Sequence, residues 1–67
     1  MKKVEKKFII KSITSECFLS ETEYGEQLVS IQSIYHSPVI FFDSKEAAEE
    51  NIIVNSRTAV TIVEVFK

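Results

Sequence analysis

The sequence predicts an α+β domain. The expected sheet is three- to four-stranded and mainly antiparallel, with one short helix packed on one face, in the order β-β-β(-β)-α-β. Three observations carry that prediction. Runs rich in β-branched and aromatic residues recur at 8–13, 17–20, 28–35, 39–42 and 58–66. One stretch rich in alanine and glutamate follows Phe41-Phe42-Asp43-Ser44. The whole chain has 67 residues, which suits one small domain over 1–67 with a single core.

The first strand is Phe8 to Ile13. Alternation puts Ile9, Lys11 and Ile13 on one face and Phe8, Ile10 and Ser12 on the other. Thr14-Ser15-Glu16 is a polar break, and Cys17-Phe18-Leu19-Ser20 follows as a second strand. So short a break makes the two a hairpin. Glu21 to Glu26 reads as a polar loop holding Gly25, the chain's single glycine, which supplies positive φ.

Residues 28–35 read as a third strand, with Val29, Ile31 and Tyr35 on one face. Leu28, Ile31 and Tyr35 also fit a helical spacing, so helix is the competing reading. His36-Ser37-Pro38 is a break. Val39 to Phe42 is wholly apolar, as expected of a strand covered on both faces or of a kinked extension of the previous one.

The helix begins at the next residues. Ser44 or Asp43 can cap it, Glu46 suits the positive end of the helix dipole, and Ala47 to Glu50 are good helix formers. Ala48 and Ile52 share one face and should meet the sheet. Asn55-Ser56 ends the helix. Thr58 to Phe66 is the strongest strand, with Val60, Ile62 and Phe66 on one face and Ala59, Thr61, Val63 and Val65 on the other. Apolar on both faces, it is expected at the centre of the sheet or under a partner, beside the first strand. A helix this short leaves Phe18, Ile31, Val63 and Val65 uncovered, which points to a homo-oligomer, a dimer first of all.

Composition narrows the function. The formal net charge is −2, but residues 1–11 carry +4 and the remainder −6. Residues 1–7 read as a basic, solvated arm. Arginine occurs once and the lysines gather at one end, so nucleic acid is not the expected partner. One cysteine permits no internal disulfide. Cys17 and His36 are too few for a structural metal site, and they read as a strand hydrophobe and a turn residue rather than a catalytic pair. The single glycine excludes glycine-rich phosphate loops. Glu16, Glu21, Glu23 and Glu26 read as a solvated acidic rim. No apolar run approaches a membrane span, and a free thiol suits a reducing, cytoplasmic location. No catalytic residue, metal or cofactor is expected, and the chain reads as a non-enzyme.

What remains is recognition by surface. Tyr24 and Tyr35 are the amphipathic aromatics suited to an interface. With His36 and Arg57 they form the candidate binding set, which could also take a small anionic ligand such as a signalling nucleotide across a dimer.

The run Phe42-Asp43-Ser44-Lys45-Glu46-Ala47 resembles the F-x-S-x-E-E-A pattern of short phage and prophage proteins. In those a strand meander leads through the pattern into a helix and a final β-rich strand. Phe8 to Ser12 and Val60 to Val65 are similar to the same layout. Ala48 stands where a second acid of the run might, and the break at 36–38 also departs from it. The resemblance implies a phage-encoded protein and assigns no functional residue. The resulting expectation is a small interaction protein that binds and modulates or inhibits a host protein. The alternatives are an oligomeric protein that sequesters a small ligand and a structural or assembly subunit.

Overall fold

The computed structural model describes residues 3–30 and 38–67. It is an α+β domain with the expected element order. Strands β1 (Lys6–Ser12), β2 (Cys17–Thr22) and β3 (Gly25–Ser30) precede helix α1 (Lys45–Val54) and strand β4 (Val60–Phe66). The sheet is antiparallel throughout, in the order β3-β2-β1-β4.

β1 and β4 pair along their whole length, from Lys6 opposite Phe66 to Ser12 opposite Val60. The first and last strands are therefore neighbours, as expected. The last strand is not central, however. β1 takes that place, and β4 lies at the sheet edge. Apolarity on both faces of β4 does not mark a central position, because a strand's place follows from which neighbours claim its two backbone edges. Ala59 just before it has φ +57, which breaks extended pairing and starts the strand at Val60.

The β2–β3 connection is tighter than the polar loop read from the sequence. Thr22 pairs with Gly25, leaving only Glu23 and Tyr24 in the turn. The Thr22 hydroxyl accepts from the Tyr24 amide at 3.1 Å and donates to the Gly25 carbonyl at 2.8 Å. Gly25 follows with φ +100, the left-handed geometry that turns a short hairpin back into register. Glu21 and Glu26 are thus strand residues that face each other. Of the third strand read at 28–35, Leu28 to Ser30 belong to β3, and residues 31–37 lie outside the described part. Lys6 and Lys7, read as the end of a basic arm, open β1, and Glu5 exchanges two 3.0 Å backbone bonds with Lys67.

β1 and β2 touch in register only where Lys11 faces Phe18. Beyond that point residues 38–42 enter the gap. The amides and carbonyls of Phe8 and Phe42 exchange bonds of 2.9 and 2.8 Å. On the other side the Ile40 amide donates to the Leu19 carbonyl, and the Glu21 amide donates to the Pro38 carbonyl, both at 3.0 Å. Proline can serve there because only its carbonyl is needed. The apolar run at 39–42 is thus a short wedge between two strands.

Helix α1 starts where the wedge ends. Ser44 is the cap: its backbone is extended and its hydroxyl accepts from the Ala47 amide at 3.1 Å. At the other end the Ser56 and Arg57 amides bond back to the Ile53 and Ile52 carbonyls at 3.1 and 3.0 Å. With Ser56 at φ +51 this is a Schellman-type stop, in which a residue other than glycine takes the left-handed position. The helix packs on β1 and β4. Ile10, Leu19 and Ala48 are fully buried at the centre, with Phe8, Ile40, Phe42, Ile52, Val60 and Ile62 around them. Alanine at 48 lets the helix backbone approach the strands closely. Each fully buried Ile or Leu contributes about 1.5–3 kcal/mol.

Amide exchange tests the wedge: the Ile40 and Phe42 amides should be protected to a degree comparable with Ile10, although neither lies in a regular strand. Exchange as fast as at Ser15 would contradict it. Replacing the cap, Ser44→Ala, should cost about 0.5–2 kcal/mol in chemical denaturation.

Candidate functional site

Strand registers sort the side chains into two faces. The helix covers the face of Phe8, Ile10, Leu19, Val60 and Ile62. The opposite face carries Lys7, Ile9 and Lys11 from β1. Their cross-strand partners Val65, Val63 and Thr61 come from β4. Phe18 of β2, opposite Lys11, and Val29 of β3, opposite Phe18, extend it. Among the described residues no helix lies on this side.

Ile9 is nearly buried at the centre, at 7 % exposure, and Phe18, Val29, Val63 and Val65 are half-buried around it. Three of the four residues expected to remain uncovered by the helix, Phe18, Val63 and Val65, lie here; Ile31 is outside the described residues. The wedge alternates like a strand, so Ile40 and Phe42 turn to the core while Val39, Phe41 and Asp43 turn to this open face. Phe41 is 41 % exposed, and the Lys67 ammonium sits 4.0 Å from its ring centroid. That cation–π contact anchors the aromatic at the rim.

The charged residues of this face are of both signs: Lys7, Lys11 and Lys67 share it with Asp43 and with Glu5, which pairs with Lys67. The Lys7 ammonium donates to the Asp43 carboxylate and lies 3.7 Å from Glu5. The hydrogen bond to Asp43 raises the Lys7 pKa, burial works against it, and the charges of Asp43 and Glu5 add to the rise. The same hydrogen bond, then the charge of Lys7, lowers that of Asp43. Lys11 donates to the carbonyls of Ser12 and Ser15 at 3.0 and 3.3 Å and lies 3.8 Å from Glu16. Its ammonium thereby ties down the β1–β2 connection.

The residues nominated from sequence fall as follows. Tyr24 is at the tip of the β2–β3 turn, 80 % exposed. Tyr35 and His36 lie outside the described residues. Arg57 is brought back toward the helix by the Schellman stop. Its Nε donates to the Asn51 side chain at 2.9 Å, and its terminal nitrogen donates to Glu26 at 3.3 Å. Asn51 also donates to Glu26 at 2.9 Å. Glu26 faces Glu21 across the hairpin, a pairing of like charges that the guanidinium relieves. The cluster of Glu26, Asn51 and Arg57 clamps the end of α1 to β3. Nothing in the sequence marks it, because its members lie 25 and 31 positions apart.

A concavity of about 430 Å³ runs between α1 and β4, lined by Lys45, Glu49, Ile52, Ile53, Val60, Thr61 and Ile62. Ile53 is 75 % exposed at its margin and Phe66 is 64 % exposed further along β4. Among the described residues no group of His, Cys, Asp and Glu is placed to hold a metal ion, and no helix is long and apolar enough to cross a membrane. Comparisons with protein-family models, curated proteins and solved structures find no match to the chain. Fold and surface together therefore describe a small α+β domain with one sheet face covered by the helix and an opposite, largely apolar face on which no described helix lies.

The Lys7–Asp43 pair gives a pH test. Asp43 titrates below its ordinary value, so its contribution holds above about pH 4 and is lost as pH falls through the lowered pKa. Lys7 titrates above its ordinary value, so its contribution holds below about pH 10 and is lost as pH rises through the raised pKa. Asp43→Asn should lower Tm slightly at neutral pH and leave it unchanged at pH values where Asp43 is protonated. Thermal melts across that range would check it.

Proposed function

We propose that this chain is a small, non-enzymatic interaction protein whose open sheet face binds another protein. The reading rests on the apolar patch of Ile9, Phe18, Val29, Val63 and Val65 on the side away from the helix. An apolar, partly exposed sheet face on which no described helix lies is the kind of surface that a protein partner covers. Its rim is of mixed charge, since Lys7 lies against Asp43 and Glu5 and Lys11 against Glu16, so the apolar centre is what selects the partner. In the phage setting implied by the sequence resemblance, the partner is a host protein whose activity the complex modulates or inhibits, in the host cytoplasm.

A protein partner is preferred to a small anion because Arg57, the cation nominated for an anionic ligand, already carries Glu26 and Asn51. An incoming anion would have to displace a carboxylate.

Affinity capture from host lysate tests the reading, with the wild-type chain beside Val29→Asp and Phe18→Ser. Wild type should retain a saturable protein that both variants lose while their circular dichroism stays native. No saturable protein, or equal capture by folded face variants, would overturn it.

A further inference from the structure

We infer that β4 is a self-pairing edge through which two copies of this chain join their sheets. The inference rests on the backbone of β4 and is independent of the open-face reading. The side of β4 turned away from β1 can be read from the hydrogen bonds. Phe8 spends its amide and carbonyl on Phe42, so its pair with Glu64 is a non-hydrogen-bonded one. Alternation then turns the amides and carbonyls of Thr61, Val63 and Val65 toward β1, in phase with the reciprocal Glu5–Lys67 bonds. Those of Val60, Ile62, Glu64 and Phe66 point outward from the sheet. Among the described residues nothing pairs with them.

Edges left open in this way are normally guarded by proline, lysine, a bulge or an unusually short strand. β4 is seven residues, VTIVEVF, with no proline, no lysine and Glu64 as its single charge. At the other edge of the sheet, β3 carries Glu26 and Gln27 and opens on a left-handed glycine.

The outward-facing residues are arranged symmetrically about Val63. An antiparallel copy related by a twofold axis at Val63 pairs Val60 with the partner's Phe66 and Ile62 with the partner's Glu64. Every outward amide and carbonyl of those residues then finds a mate, and the four-stranded sheet becomes half of one continuous sheet. The side chains agree with that register. Phe66, 64 % exposed, meets the partner's Val60, an aromatic against a β-branched residue, at the groove edged by the exposed Ile53. Glu64 lies opposite an isoleucine and only diagonally, about 7–8 Å, from its own copy. Lys6, 3.8 Å from Glu64, offsets that repulsion. A partner of unrelated sequence would gain the same backbone bonds but not this matched set, so a second copy is the occupant.

Sedimentation of the full chain should show a reversible dimer. Glu64→Pro removes an outward amide and no core side chain, so it should give a folded monomer. A cysteine scan in a Cys17→Ser background fixes the register. Val63→Cys stands at a non-hydrogen-bonded pair on the axis, where α-carbons lie about 4.5 Å apart and can be bridged. It should oxidise to a covalent dimer, whereas Thr61→Cys, which faces the partner's Val65, should not. A monomer at high micromolar concentration would overturn the inference. So would a dimer that survives Glu64→Pro, or one that crosslinks at residue 61 and not at 63.

Discussion

The insertion of residues 38–42 between β1 and β2 is the constraint on which the rest of the structure depends. Those strands begin as a hairpin and separate after a single opposed pair, Lys11 and Phe18. Separation would leave the backbone groups of Phe8, Leu19 and Glu21 without mates, with Leu19 in the fully buried core. An orphaned buried amide or carbonyl costs more than a made hydrogen bond gains. The wedge supplies the mates from Pro38, Ile40 and Phe42. The same residues fill the volume, because Ile40 and Phe42 turn inward onto Ile10, Leu19 and Ala48. Since Ser44 follows two residues after Phe42, the helix must start beside the core that the wedge completes.

This arrangement separates the two sides of the sheet. One is sealed by a helix of ten residues whose only fully buried side chain is an alanine. On the other no described helix lies. It keeps an apolar centre at Ile9 and Val63 and collects the lysines of the N-terminal segment at its margin. Lys7 is fixed there by Asp43, the residue between the wedge and the helix cap. Acids meet these lysines there, Glu5 and Asp43 at Lys7 and Glu16 at Lys11, while Glu46, Glu49 and Glu50 lie on the helix and Glu21 and Glu26 on the hairpin side facing it. The proposed recognition of another protein rests on the apolar centre of this face.

Polar contacts over long sequence separations hold the layers in place. The clamp of Glu26, Asn51 and Arg57 joins the helix end to β3, and the Lys7–Asp43 pair joins β1 to the wedge. Exposed ion pairs add little to stability individually. Their value here is positional, since each fixes a segment whose backbone is not in a regular ladder.

Local pattern determined the element types. The β-branched runs at 8–13 and 58–66, the Ser44 cap and the break at Asn55-Ser56 are written in neighbouring residues, and periodicity alone sorts Ile10 from Ile9 and Ile62 from Val63. Local pattern also anticipated that the first and last strands would pair and that Val63 and Val65 would lie away from the helix. Tertiary structure decided the rest. Strand rank depends on which backbone edges are claimed, so the most apolar strand could lie at the edge. The turn at Glu23-Tyr24 depends on the Thr22 hydroxyl and the register it enforces, which made strand of residues that composition assigned to a loop. The role of residues 38–42 depends on the gap between two distant strands. The engagement of Arg57 with Glu26 depends on a helix stop that brings it back to a residue far away in the chain. Each of these is a contact between segments remote in sequence, and no spacing rule along one segment can encode it.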